Sequence, residues 1–167
     1  MPRSVQRQNR AERHYPTMPL DEIKVVPVAS LAATDCCLFL WTIDSFLPAA
    51  LQVGIAWGFV FKTVAFYWVK TARSHSTARP FPMGTGYWTR ANPEQCLLFT
   101  RGRPKRLSGG VEKLIVAQRR EHSRKPDEQY DRIEALVAGP YCELFARHRR
   151  PGWDAWGNQL PEQKEFE

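Results

Sequence analysis

Residues 36–69 read CCLFLWTIDSFLPAALQVGIAWGFVFKTVAFYWV, and this stretch decides the fold. Cys36 to Trp41 is an unbroken apolar run, the pattern of a strand buried on both faces. Asp44 or Ser45 then offers a helix N-cap, Leu47, Leu51 and Ile55 recur at helical spacing, and Gly58 supplies a stop. Val60 to Val69 returns to β-branched and aromatic residues, a second strand. Strand, helix and strand in so short a span form the unit from which parallel sheets are built.

The pattern continues outward on both sides. Gln95 to Thr100 (QCLLFT) reads as a third strand, and Leu114 to Ala117 as a short one. Residues 71–85 form a Ser-, Arg-, Pro- and Gly-rich loop before the third strand, and residues 101–110 a basic turn region after it. The clearest helix follows: Pro126 suits its first turn, and Asp127 and Glu128 suit the positive end of its dipole. Tyr130, Ile133 and Val137 make its apolar stripe, and Gly139 ends it. Residues 141–146 (YCELFA) read as a further strand, before a Trp- and Gly-rich segment. On the N-terminal side, Leu20 to Val25 reads as a short helix behind Pro19. The expected organisation is a basic arm at 1–13, one domain at 14–160 and a charged tail at 161–167. The expected fold is α/β, a largely parallel sheet with helices on both faces.

Composition bounds the function. A chain of 167 residues, 43% hydrophobic and 25% charged, can bury one core and is not a disordered segment. The net charge is +7, and from Lys70 to Lys125 there are thirteen Lys or Arg against three acids. Such a stretch attracts a polyanion, nucleic acid being the usual one, although a solvated basic surface fits the charge run equally well. Cys36, Cys37, Cys96 and Cys142 lie in apolar runs, without a C-x-x-C pair or clustered histidines. They read as buried reduced thiols of a cytoplasmic protein rather than disulfides or zinc ligands. The apolar segments are too short to span a membrane. No phosphate-binding Walker loop, G-x-S-x-G, H-E-x-x-H or dinucleotide fingerprint is present, which removes the commonest NTPase, hydrolase and metalloprotease readings.

In a parallel sheet, ligands bind at the carboxyl ends of strands, so polar residues near strand ends are the candidates. His122 through Glu128 is a basic loop feeding a helix N-terminus, where Lys125 could hold a carboxylate or phosphate; a capping loop with a solvated lysine is the better reading from spacing alone. Glu143 sits inside an apolar strand, where an acid is costly unless paired or binding something. A ribose diol would suit it, and an internal pair with Arg147 or Arg149 would serve equally. In Gly84 through Glu94, Trp88 offers a stacking face and Arg90 a phosphate contact, against the plainer alternative of a turn with a packed aromatic. Asn158 and Gln159 carry paired amides that could read an adenine edge, a weak signal alone.

Together and in order, these segments resemble the MT-A family of adenine-N6 methyltransferases. The resembling stretches are Arg13 to Met18, Leu38 to Trp41, Phe59 to Lys70, Gly84 to Leu98 and Thr100 to Arg106. They continue with Arg119 to Glu128, Glu143 to Phe145 and Pro151 to Gln159, covering about residues 12–160. The likeness is strongest to the shorter bacterial and phage branch, whose members methylate DNA. It implies a Rossmann-like methyltransferase sheet and S-adenosylmethionine as methyl donor. By resemblance Lys125 contacts the carboxylate end of that donor, Glu143 and Arg147 hold its ribose, and Asn158 and Gln159 contact its adenosine. Tyr15 helps close the site. Trp88 and Glu94 match a loop used for partner contact or substrate approach, and Ser123 and His122 lie on a second active-site loop. Trp88, Glu94 and His122, with Arg90, Arg101, Lys105, Arg106, Arg119 and Arg120, form the expected nucleic-acid surface. A homo- or hetero-oligomer fits the likeness, and no metal is needed.

One departure weighs against activity of this chain alone. The family's catalytic motif, Asp-Pro-Pro-Trp, precedes the Tyr15 segment, and there is no Pro-Pro anywhere in the 167 residues. The expectation is that the strand bearing it is absent. A late start codon, a decayed copy and a non-catalytic nucleic-acid-binding paralogue each account for that.

Overall fold

The structure, a computed structural model, describes residues 17–72, 80–121 and 124–160. The arm at 1–13, Tyr15, His122, Ser123 and the tail at 161–167 lie outside the described residues. The elements are α1 (Leu20–Val25), α2 (Val28–Leu31), β1 (Cys36–Thr42), α3 (Leu47–Ala56), β2 (Val60–Thr71), β3 (Glu94–Arg101), β4 (Leu114–Gln118), α4 (Glu128–Leu136), β5 (Tyr141–Leu144) and β6 (Trp153–Trp156). The short helix at 20–25, the strand-helix-strand unit, the third and fourth strands and the long helix all stand where the sequence placed them. Residues 153–156, expected only as a Trp- and Gly-rich segment, form β6, and α2 had no sequence signal.

Two details of the β1–α3–β2 unit differ from expectation. Asp44 to Phe46 form a single 3-10 turn, and α3 begins at Leu47 without a side-chain cap. Pro48 starts the helix instead, its fixed φ being suited to the first turn. The face turned inward is Ala50, Val53, Gly54 and Trp57, flanked by half-buried Leu47 and Leu51, while Ile55 is exposed. The small residues win that face because α3 lies close on the sheet. Gly54 faces the Phe99 ring, and a Cβ there would meet it at 2.3 Å. Gly58, at φ +85°, makes the turn into β2 that a residue with a side chain resists.

The main sheet has the order β1-β3-β2-β4 and is mixed. β1, β2 and β4 run one way, as the strand-helix-strand reading requires. β3 runs against both its neighbours and sits between them, with Leu38 opposite Phe99 on one side and Val64 opposite Leu97 on the other. The connection from β2 to β3 contains no helix among its described residues, and a return without a crossover helix gives an antiparallel pair. The expected largely parallel sheet is therefore corrected at this one strand.

Alternation along β3 builds two cores. Leu97 and Phe99 face Val28, Ala50, Val53, Trp57 and Phe59. Cys96 faces Phe66, Trp68, Ile115 and Ile133 of α4. Helices thus cover both faces, α3 on one and α4 on the other. β5 and β6 pair in parallel as a separate two-stranded sheet, and β5 reaches both cores, Leu144 packing on the first and Tyr141 on the second. Among the described residues β1 has a strand partner on one side only, as does β5. All four cysteines are free; Cys96 is buried and Cys36 and Cys37 half-buried, but Cys142 is exposed, against the expectation for that residue.

Gly54→Ala separates packing from propensity. In an open helix the change stabilises by about 1 kcal/mol. Here the collision with Phe99 should overturn that gain and destabilise by roughly 1–3 kcal/mol. Urea unfolding measures the sign, and a stabilised variant would contradict the close approach of α3 to β3.

Candidate functional site

Because β1, β2 and β4 point the same way, their carboxyl ends share one edge of the sheet, and reversed β3 contributes its first residue there. The pairing Trp68↔Glu94 sets Glu94 beside the end of β2. Lys70 Nζ lies 2.7 Å from Glu94 Oε1, and the Lys125 ammonium donates to Glu94 Oε2. The three side chains are 20%, 23% and 14% exposed for Lys70, Lys125 and Glu94. Each ammonium also lies over an indole, Lys70 over Trp68 at 5.3 Å and Lys125 over Trp41 at 5.7 Å. Burial alone would raise the Glu94 carboxyl, but the Lys125 and Lys70 charges outweigh it and hold the group below the usual 4.5. Two cations on one carboxylate leave a net positive charge, which a second carboxylate could satisfy.

Asn92 braces this edge. Its Oδ1 accepts from the Lys70 backbone N–H at 2.9 Å, and its Nδ2 donates to the carbonyls of Lys70 and Pro82 at 2.9 and 2.7 Å. Asn92 is thus a loop anchor.

The first turn of α4 carries the site from the main sheet to the small one. Lys125 precedes it and reaches Glu94. Gln129, buried, accepts from Trp41 Nε1 at the end of β1. Tyr130 donates from its hydroxyl to Glu143 Oε2 at 3.0 Å on β5. Lys125, just before α4, and Tyr130, in its first turn, thus bond to Glu94 and Glu143 respectively. Glu143 is half-buried, and burial raises its carboxyl above the usual 4.5 while the Tyr130 hydrogen bond and His148 oppose the rise. Tyr130 thus supplies Glu143 with a hydrogen-bond donor that the sequence reading did not consider.

Parallel pairing of β5 and β6 brings Asn158 and Gln159 to the same end as Glu143. Glu143 stands opposite Ala155, and the Ala146 N–H donates to the Trp156 carbonyl at 2.9 Å. Gly157 packs so tightly on Ala146 that a Cβ would meet its carbonyl oxygen at 2.2 Å. Asn158 is exposed, and Gln159 and Arg147 are half-buried. Phe145, at φ +59°, and Trp156 make an edge-to-face pair at 5.4 Å beside them.

The basic residues divide between the two ends of the sheet. Trp88 is 94% exposed, at φ +68°, and Arg90 is also exposed; their loop is anchored by Asn92 at the Glu94 edge. Arg119 and Arg120 follow β4 at that same edge and line a shallow cleft of about 530 Å³ with Pro126, Asp127 and Glu128. Arg120 is paired with Asp127. Arg101 ends β3 at the far end, opposite Cys36, and its guanidinium donates to the Ala29 carbonyl at 2.6 Å. Lys105 and Arg106, exposed, follow it there. The structure therefore keeps Arg101, Lys105 and Arg106 away from Trp88 and Arg90, and turns Glu94 into an internal ion pair rather than an outward contact. Lys70, Asn92, Gln129 and Tyr130 are site residues that sequence reasoning missed.

The fold is a mixed α/β sheet with helices on both faces and a charged cluster at its strand ends, and comparison with known proteins gives its family. The chain belongs to the MT-A70 family, whose description matches residues 2–159. It is 35% identical over 153 residues to the type II methyltransferase M.MunI of Mycoplasma sp, covering 90% of this chain and 61% of that protein. It is 35% identical over 152 residues to an N(6)-adenosine-methyltransferase MT-A70-like protein of Arabidopsis thaliana, and 33% identical over 153 to the human N(6)-adenosine-methyltransferase catalytic subunit METTL3. These alignments cover 89% of this chain, but only 22% and 26% of those two relatives. The chain thus spans 61% or less of each. The sheet described above is the family's Rossmann-like fold, and no helix among the described residues is long and apolar enough to cross a membrane.

Glu94→Gln leaves two part-buried ammoniums without a counter-charge. It should cost roughly 1–3 kcal/mol of stability at neutral pH. Because Glu94 titrates below 4.5 in the folded chain, its contribution is present above the unfolded value and lost as pH falls through the depressed one. Denaturation of both proteins across pH should show the gap closing only below about 4.5; equal stability at neutral pH would refute the ion-pair account.

Proposed function

We propose that the chain carries the cofactor-binding part of an S-adenosylmethionine-dependent methyltransferase that modifies the N6 amine of adenine, in DNA in preference to RNA. The observation that carries this reading is the approach to α4 and its first turn, from which Lys125 reaches Glu94 and Tyr130 reaches Glu143. The donor set fits the cofactor. A half-buried ammonium suits its amino-acid carboxylate, a carboxylate suits a ribose diol, and the Asn158 and Gln159 amides suit an adenine edge. When bound, the cofactor supplies an electrophilic methyl group on sulfur. The residues of this chain bind and orient: Lys125 turns from Glu94 toward the incoming carboxylate, and Lys70 keeps Glu94 neutralised meanwhile. Arg147, which follows β5, would assist Glu143 at the ribose.

The nucleic acid would approach the same edge. Trp88, almost fully exposed and held in left-handed backbone, offers a stacking face for an unstacked base, and Arg90, Arg119 and Arg120 offer phosphate contacts. Arg101, Lys105 and Arg106, at the far end, fall outside this contact. The DNA preference rests on M.MunI, the type II enzyme, of which the chain covers the larger share. Cytoplasmic location is part of the same reading, in keeping with four free cysteines.

No Pro-Pro occurs in residues 1–167, and no residue among them is assigned to accepting the adenine amine hydrogens. The alternative this favours is a non-catalytic nucleic-acid-binding paralogue or partner subunit.

Calorimetric titration with S-adenosylmethionine should give saturable heat, weakened about tenfold or more by Lys125→Ala or Glu143→Ala. Absence of heat from the unsubstituted chain would leave only the nucleic-acid-binding alternative. Methyl incorporation into adenine-containing DNA by these 167 residues should be low.

For the nucleic-acid surface, Arg90→Ala should reduce the salt-dependence slope of DNA binding by about 1. Lys105→Ala should leave that slope unchanged. Equal effects in fluorescence anisotropy would contradict the two-ended division of charge.

A further inference from the structure

The α4 residue that touches Glu143 is not assigned any role by the family likeness or by the sequence pattern, which places Tyr130 in an apolar stripe. Its surroundings are unusually complete. The ring packs edge-to-face on Trp153 at 5.1 Å, and the Arg150 guanidinium lies over it at 4.8 Å. Trp153 is stacked in turn on Tyr141 at 4.7 Å, and its Nε1 donates to Glu134 at 2.7 Å. Arg150 ties back to α4 through Glu134 at 3.1 Å and Asp131 at 2.7 Å. These contacts leave the phenol little freedom, and the hydroxyl they aim is the one that donates to Glu143 Oε2 at 3.0 Å.

We propose that Tyr130 is a positioning residue, whose hydroxyl fixes the Glu143 carboxylate for a ribose diol. The inference rests on the reading of Glu143 as the diol acceptor. A carboxylate has about four lone-pair sites, so one donated bond orients the group without filling it. A glutamate without that bond would sample several rotamers, and the ligand would have to order it on binding. The phenol is a durable donor. Burial and the Glu143 charge push its ionisation well above the ordinary tyrosine range, so it keeps its proton throughout the working pH range. The charged groups around the pair are His148 beyond β5, and Asp127 and Arg150 beside the phenol.

The test compares S-adenosylhomocysteine with its counterpart lacking both ribose hydroxyls, titrated into the full chain, Tyr130→Phe, Glu143→Gln and the double variant. Tyr130→Phe keeps the ring and its packing. It should weaken S-adenosylhomocysteine about tenfold and leave the deoxygenated ligand unchanged. The double variant should bind no worse than Glu143→Gln, since the phenol acts only through that carboxylate. The acid-side loss of binding should also move to higher pH in Tyr130→Phe, because the bond that restrains the Glu143 carboxyl is gone, while His148 is common to both proteins. If Tyr130→Phe weakens both ligands equally, its role is structural and the inference is overturned. If Glu143→Gln weakens only the hydroxylated ligand while Tyr130→Phe binds like the parent, the diol reading stands and the positioning role alone falls. If Glu143→Gln itself has no effect, both fall.

Discussion

A single reversed strand sets the chemistry of this fold. β3 lies between two strands that run the other way, so its first residue, Glu94, stands at the edge where they end. A parallel strand in that slot would bring its last residue there instead, and the carboxylate would be lost from the site. With Glu94 in place, Lys70 from the end of β2 and Lys125 from the approach to α4 converge on one acid, each backed by an indole. The desolvation of three ionised groups is tolerable only because they are mutually compensating. The surplus positive charge is what makes the cluster a candidate anion receptor rather than a closed structural ion pair.

α4 then acts as the join between two separate sheets. Its inner residues, Gln129 and Ile133, pack toward the main sheet, and Tyr130 reaches the small one through Glu143 and Trp153. The start of α4 thereby links the Glu94 edge to the acid of β5. Its far end is fixed as well, the Leu136 carbonyl accepting from Leu107 at 2.9 Å. A domain whose binding groups come from two sheets needs such a rigid bridge, since an error of an ångström in either sheet would separate them.

The chain's local signals gave away most of the elements because they were strong: the CCLFLW run, the β-branched Val60–Val69 segment, and Pro126 with two acids before an apolar stripe. What local signals could not convey was strand direction. The loop after β2 carries no helical pattern, and that was the available hint of an antiparallel return, but a loop of Ser, Arg, Pro and Gly also fits a long crossover. Missing the reversal hid the Lys70–Glu94 pairing, because residues 24 apart meet only if β2 and β3 are neighbours in opposite sense. It also merged two basic surfaces that stand at opposite ends, with Arg101 spent on backbone carbonyls. Tyr130 was hidden differently: its ring does belong to an apolar stripe, and only its hydroxyl belongs to the site. Lys125, Glu143, Asn158 and Gln159 take their proposed roles from family likeness rather than from spacing.

The central claim is that Lys125 and Glu143 grip opposite ends of one ligand. A crystal structure of the full chain with S-adenosylhomocysteine tests it most directly. The account predicts the ligand's carboxylate within hydrogen-bonding distance of Lys125 and its ribose hydroxyls on Glu143, with Lys70 still paired to Glu94. A ligand seated elsewhere, with Lys125 still bound only to Glu94 and Glu143 touching nothing but Tyr130, would contradict it.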